Sequence, residues 1–461
     1  MDSPAMTLLA RLGAQPKAQT KKPAYPRLTS PATAALLGSW PRRRFELVPD
    51  EVHEEGLAAF ELVGIDVQDV IERRRSSTVG IQIIRGKFVR RAQAGNPTAE
   101  AFVAGEIDLP IPRGVAGPGL LAETIVRRWQ NHESLKSQSA VFAGEGLTLT
   151  ESTLGRWHDE LATTAKPLLD SMWSDAVSAP YLFIDSRGAL VTEKEKCRTG
   201  HFWIVVVPHR HVLYGFSKRG DGSIPIDEEL RDYSGYRVVD AHAIVQHLCG
   251  PDDPAHEACW GRARQSWYRA LASDPERAKV ALEHIDALFR IDRTFVDATR
   301  KQREAVRRTE SRPIVDRFFA WCESQRGLVT DGSPCAMALD YAMNQRDVLL
   351  RVVDDGRLPI TGNLGEMSMR KELQRRRNWL FSVSEDGTRA TSTFVSLLGS
   401  CMLHGIEPLD YIRDLLILLP NWPQSRVLEL APVSWKRTLE TAMAQEGLDS
   451  NIFRSVVLAP A

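Results

Sequence analysis

Tyr181-Leu-Phe-Ile184 runs directly into Asp185, and Tyr236-Arg-Val-Val239 runs directly into Asp240. Between them lie Phe202-Trp-Ile-Val-Val-Val207 and His211-Val-Leu-Tyr-Gly-Phe216. Apolar runs without alternation suit strands buried on both faces, so these four stretches predict an α/β sheet. Pro208 to Arg210 supplies a turn, which predicts a hairpin from the middle two. An acid at the carboxyl end of a buried strand stands where open α/β sheets place their ligands. Asp185 and Asp240 are therefore the first candidates for a site. Each also has a plain structural reading. Asp185 opens Asp185-Ser-Arg-Gly188 and can shape a turn, and Asp240 can cap a following helix.

Beyond Asp240 no further strand is expected for over a hundred residues. Ala278, Leu282, Ile285 and Phe289 repeat at helical spacing, as do Ala336, Leu339, Met343 and Leu350. Pro313 suits the first turn of a helix carrying Val315, Phe318 and Phe319. Turn residues at Asp354 to Arg357 and Thr361 to Asn363 precede a helix from about Leu364, which carries Glu366. Glu366 stands four residues before Arg370, the spacing of an ordinary surface ion pair. Helices continue to about Leu419.

Upstream, Val79 to Ile84 and Lys87 to Arg90 read as two short strands with Gly86 turning the chain between them. A Pro/Gly-rich connector, Leu109 to Gly119, leads to a helix through Leu120, Leu121, Thr124, Ile125 and Arg128. Another helix, capped by Thr150 or Ser152, carries Leu154, Trp157 and Leu161. This pair fits either a DNA-reading helix-turn-helix or packing against the sheet. Residues 1–45 hold eight basic residues against the single acid Asp2 and read as a flexible tail.

The chain has 461 residues, too many for one ordinary core; roughly 150 residues per domain suggests about three units. Charged residues are 26% and hydrophobic ones 43%, a globular composition. Lys plus Arg equals Asp plus Glu at 59 each, which argues against a protein coating DNA through its overall field but leaves local basic patches open. The six cysteines form no CxxC pair, so free thiols in a reducing compartment are expected. No apolar run approaches the ~20 residues of a membrane span, and a cytoplasmic chain is expected. His242, His247, Cys249, His256 and Cys259 offer zinc-type ligands at irregular spacing, which does not suit a closed tetrahedral site. Cys259 and Trp260 read as core.

Two strand-end aspartates and a helix glutamate suit magnesium, a hard ion that takes oxygen ligands and keeps several waters. Two such ions can assist phosphodiester displacement. Among 59 acids, however, many such triples exist.

An ordered series of motifs from about residue 109 to 435 resembles the DDE transposases of the insertion sequence sixty-six family. Ile111 to Ala122 (IPRGVAGPGLLA) resembles its IPKGLAGPGLLA block. Phe142 to Trp157 is similar to its FAREGVxLSRSTLADW segment. Thr199-Gly200 with Trp203 resembles TGRLWVYV, and His256 to Trp260 with Arg264 resembles HAACWAHxRR. Asn363, Glu366 and Arg370 fall on DNNxxERxxR, and Arg376 to Phe381 on RKNWLF. Gly405 to Pro408 with Tyr411 resembles NGVDPxxYL.

The resemblance implies that Asp185, Asp240 and Glu366 are the catalytic acids and bind magnesium, two ions with manganese as a substitute. It implies a ribonuclease-H-like mixed-sheet domain split by an α-helical insertion, with an amino-terminal α+β DNA-binding region. The expected divisions are a tail (1–45), a small β-rich region without the family's zinc cysteines (46–108) and a helical, DNA-binding candidate region (109–175). A first catalytic part (176–245), a helical insertion (246–355), a second catalytic part (356–385) and a helical carboxy-terminal region (386–461) complete the set. The implied partners are the element's terminal inverted repeats and target DNA, bound by a homodimer or larger assembly at the nucleoid. No zinc and no membrane association are expected. Arg264, Arg370, Lys371, Arg376 and Arg377 are the expected DNA contacts, because arginine's planar fork suits phosphate. Departures from the family pattern are Ser186-Arg187 after the first acid, Arg262, Thr361 and Met367. They keep two alternatives open: a DNA-binding descendant that does not cut, and a metal-dependent nuclease that does not join.

Overall fold

The computed structural model describes residues 42–458 except 75–76, 95, 97, 106, 113, 194–195, 218–229, 231, 240–255, 258, 296 and 361–384. Side chains of 42, 185–193, 196–202, 217, 239, 256–257 and 385–388 are likewise not described. The described residues fall into two compact units. One lies within Met1–Thr164, Glu407–Arg426 and Arg437–Ala461, the other within Ala165–Ile406 and Val427–Lys436.

The first unit begins with β1 (Arg42–Leu47) and α1 (Asp50–Glu55), followed by the long hairpin β2 (Phe60–Arg74) and β3 (Ser77–Arg90) and by β4 (Phe102–Val103). β3 is central, with β1 parallel and β2 antiparallel to it. The expectation of two short strands is corrected here. Gly86 lies inside β3 opposite Ile65 and turns nothing, because a continuous partner strand pairs on both sides of it. Helices α2 (Pro118–Trp129) and α3 (Leu135–Gly144) follow, with α4 (Glu151–Val177) starting in this unit. Thr150 is the cap of α4: its hydroxyl accepts from Thr153 N at 3.2 Å. The unit also receives α12 (Pro408–Leu418), α14 (Ala442–Asp449) and α15 (Ile452–Leu458). Phe453 and Val456 of α15 pack on Val70, Val79, Ile81 and Ile83 of the hairpin.

The second unit is built on a five-stranded sheet: β5 (Tyr181–Glu193), β6 (Lys196–Val207), β7 (His211–Ser217), β8 (Tyr236–Val239) and β9 (His256–Glu257). Its order is β7-β6-β5-β8-β9; β5 with β6 and β6 with β7 are antiparallel, whereas β5 with β8 and β8 with β9 are parallel. The hairpin around Pro208 to Arg210 is present, closed by Arg210 N donating to Val207 O at 3.0 Å. Trp203 to Val207 are each at most 1% exposed, as expected for a strand covered on both faces. Two expectations change. β5 does not stop at Asp185 but continues to Glu193, paired residue by residue with β6, so Asp185 shapes no turn. A short strand, β9, also follows Asp240, where none was expected.

Helices α5 (Trp260–Ala270), α6 (Pro275–Thr294), α7 (Arg300–Val306), α8 (Arg312–Gln325), α9 (Pro334–Asn344) and α10 (Arg346–Asp354) then form their own core around Trp260, Trp267, Phe318 and Phe319. Pro313 sits in the first turn of α8. α11 (Glu385–His404) covers the edge strand β7. Its Ser396 and Ser400 hydroxyls accept from Tyr214 N and Val212 N, both at 2.9 Å. Serines four residues apart on one helix face thus satisfy an edge that would otherwise need another strand. A short α13 (Trp435–Thr438) begins where this unit's sequence ends and runs into the first unit's last segment. Among the described residues no helix is long and apolar enough to cross a membrane.

Candidate metal centre and nucleic-acid interface

β5 and β8 lie side by side in the middle of the sheet, parallel and in register from Tyr181↔Tyr236 to Ile184↔Val239. The next residue in each sequence is a candidate acid, Asp185 and Asp240. The backbone of Asp185 is extended and pairs with Ile204. Its side chain, and the whole of Asp240 and Glu366, lie outside the described residues, as do Arg370, Lys371, Arg376 and Arg377. Among the described residues no group of three or more His, Cys, Asp or Glu is placed to hold a metal.

The amino ends of the same two strands are tied to the helical core. Tyr181 and Tyr236 pack against it, and the Tyr236 hydroxyl donates to Asp355 Oδ2 at 3.1 Å. Burial alone would raise the Asp355 carboxyl, but hydrogen bonds from Arg357 and Tyr236 hold it down at about 2. Arg307, 3% exposed, donates to the carbonyls of Val352 and Leu358 and pairs with Asp292 at 2.5 Å. It closes the carboxyl end of α10 just before the segment that carries Glu366.

Of the expected DNA contacts, only Arg264 is described. It sits on α5 and donates from Nε to Asp286 Oδ1 at 2.7 Å, with both side chains 40% exposed. Cys259 stands at the N-cap position of α5 without a side-chain capping bond and is only half-buried, whereas Trp260 is fully buried, its ring N–H donating to Leu349 O at 3.0 Å. The core reading of Trp260 holds. His242, His247 and Cys249 lie outside the described residues. A cavity of about 280 Å³ in the first unit, lined by Asp108, Leu418, Trp422, Met443 and Asn451 among others, contains none of the candidate acids.

Buried ionisable residues escaped the sequence reading, Glu72 among them. Glu72, fully buried on β2, accepts from Arg73 N at 2.7 Å and from Leu120 N at 2.8 Å through Oε1, whereas Oε2 has no partner among the described residues. It plugs the amino end of α2, where the helix dipole favours an anion. Burial nevertheless dominates and raises its pKa to about 7 against those backbone N–H groups. The signal lay in Gly117-Pro-Gly119: a Cβ on Gly119 would stand 2.6 Å from Glu72 Oε1.

With this geometry in hand, the comparisons decide the family. The model for the Transposase IS66 family matches residues 113–390, more than half of the chain, and the IS66 C-terminal element matches 396–433. The chain belongs to the IS66 transposase family. Similar curated proteins are the uncharacterized proteins y4hP, y4qI and y4jD of Sinorhizobium fredii (strain NBRC 101917 / NGR234). The first is 27% identical over 402 residues, covering 81% of this chain and 71% of y4hP. The others are 25% and 24% identical, covering 71% and 70% of this chain and 64% and 67% of their own lengths. In the IS66 frame, the Gly117-Pro-Gly119 turn and the serine face of α11 both fall in or beside matched segments, and both prove to be packing devices. Membership implies a transposase role and DNA as partner, in a family that generally depends on divalent metal.

Proposed function

We propose that this IS66 member is a DNA transposase that cuts phosphodiester bonds at its element's ends and joins the freed 3′ ends to target DNA. Asp185, Asp240 and Glu366 are the acids proposed to hold two magnesium ions, with manganese as a substitute. The observation that carries the reading is the β5/β8 register. Paired parallel strands lie about 4.8 Å apart, and one further residue on each adds at most about 3.8 Å. The Cα atoms of Asp185 and Asp240 therefore cannot stand more than about 12 Å apart. An upper bound of that size leaves the two carboxylates able to reach one magnesium ion, a hard cation that takes oxygen ligands. When bound, the ions supply a polarised nucleophile and charge stabilisation at the leaving oxygen. The chain's own part is to hold the acids on a sheet whose strands are anchored at the opposite end by Tyr181 and Tyr236.

The strand order supports a ribonuclease-H-like domain. Numbered by appearance it runs 3-2-1-4-5, with only the second strand antiparallel to the rest. Helices α5 to α10, with their own core between β9 and the Glu366 segment, support the reading of 246–355 as an insertion between catalytic parts 176–245 and 356–385. Residues 46–108 and 109–175 are proposed as the end-binding region, acting at the nucleoid in a dimer or larger assembly. Arg264, Arg370, Lys371, Arg376 and Arg377 would contact phosphates. The departures at Ser186, Arg262, Thr361 and Met367 favour one second reading, a descendant that binds DNA without cutting it.

A strand-transfer assay with the DNA flanking the gene tests this. Joined products that require divalent metal support the transposase. Nicked products alone would indicate a nuclease, and mobility shifts alone a binder. Asp185→Asn or Asp240→Asn should each lower cleavage by at least about a hundredfold while leaving DNA binding measurable.

A further inference from the structure

Helix α5 has two unlike faces. Trp260, Ala263, Trp267 and Ala270 are each 0% exposed and form its core side. The other side carries Arg264, Gln265, Tyr268 and Arg269, and the helix contains three arginines and no acid. Tyr268 is 61% exposed, although both tryptophans of the same helix are fully buried. The ring thus stands in water on an arginine-bearing face, where its π surface is open to a ligand. Arg264 and Tyr268 are four residues apart, hence neighbours on the helix surface. Asp286 accepts from the Nε of Arg264 and so restrains that side chain, leaving its two terminal amino groups available. Arg269 has no ion-pair partner among the described residues.

The position of the helix narrows the ligand. α5 starts three residues after β9, at the carboxyl end of parallel strands β8 and β9. That is the edge at which Val239 gives way to Asp240. Tyr268 lies eight residues into α5, about 12 Å along the axis from Trp260, a span of a few nucleotides.

We propose that the Arg264–Tyr268–Arg269 face of α5 grips an unpaired nucleotide of the DNA end, Tyr268 stacking on the base and the arginines contacting its phosphates. Every base offers a π face, so such a grip tolerates sequence and prefers unpaired strands over duplex. The proposal rests on the transposase reading and adds the form of DNA recognised. Its rival is a protein interface, since Leu328 and Met337 in the same helical region are 62% and 58% exposed.

Binding is measured with the full chain by anisotropy, using a blunt duplex and the same duplex with a short unpaired 3′ extension carrying 2-aminopurine. The wild type should prefer the extended duplex and change the probe's fluorescence. Tyr268→Ala should weaken binding of the extended duplex roughly tenfold and abolish the fluorescence change, with blunt-duplex affinity kept; Tyr268→Phe should retain both. An unchanged preference in Tyr268→Ala overturns the proposal. So does a lower mass by light scattering in Tyr268→Ala with DNA affinity unchanged, which assigns the face to a protein contact. Wild-type chain that binds neither DNA removes the transposase reading itself, whereas binding of both duplexes that is indifferent to Tyr268 removes only the stacking grip.

Discussion

At Glu72 the stability of the fold depends on one proton. The carboxyl's pKa is raised to about 7 by burial, above its value of 4.5 in an unfolded chain. The folded state therefore holds the proton more tightly, and the stabilisation is complete below pH 4.5 and lost as pH rises through 7. A shift of that size corresponds to about 3 kcal/mol. Glu72→Gln keeps the acceptor but cannot ionise, so the loss of stability between pH 5 and pH 8 should be smaller in the variant by about that amount. Urea denaturation at both pH values measures it, and equal losses would refute the protonated carboxyl. His158 works in the opposite sense, since burial lowers it to about 3, but it is common to both proteins and cancels. Neither group was legible as special in the sequence. Burial of a lone charged residue depends on what covers it, and only the two glycines flanking Pro118 hinted at a close approach.

Among the elements, the central strands were legible because apolar runs with no alternation have few other uses. Tyr181 to Ile184, Phe202 to Val207 and Tyr236 to Val239 all prove to be strands. The ends were not legible. β5 extends through polar residues to Glu193 because β6 pairs with it, and pairing is a property of the partner. For the same reason Gly86 read as a turn until β2 was placed beside it. The serine seal on β7 was likewise hidden, since serines four residues apart on a helix do not reveal which backbone they will meet. Replacing Ser396 and Ser400 by Ala leaves the amides of Tyr214 and Val212 buried without acceptors, at about 1–3 kcal/mol each. The double variant should unfold at lower urea, and hydrogen exchange should quicken at those two amides. Exchange unchanged at both would show that the edge is satisfied otherwise.

Over the whole molecule, zero net charge means that DNA must be held by local patches. Arg376→Ala with Arg377→Ala should make the dependence of log affinity on log salt shallower by up to about 2. An unchanged slope would return that segment to an ordinary solvated face. The family was legible because its motifs occur in order along most of the chain. The candidate site was legible only as far as two apolar runs could be seen to lead into acids, because the proposed third acid belongs to a distant segment that tertiary folding alone can bring near. The central claim is that Asp185 and Asp240 share a cation. A crystal of the full chain soaked in manganese, with its anomalous difference map, tests it most directly. The account predicts a peak within about 2–2.5 Å of carboxylate oxygens from both aspartates. A peak elsewhere, or the two carboxylates separated by more than about 10 Å with no ion between them, would contradict it.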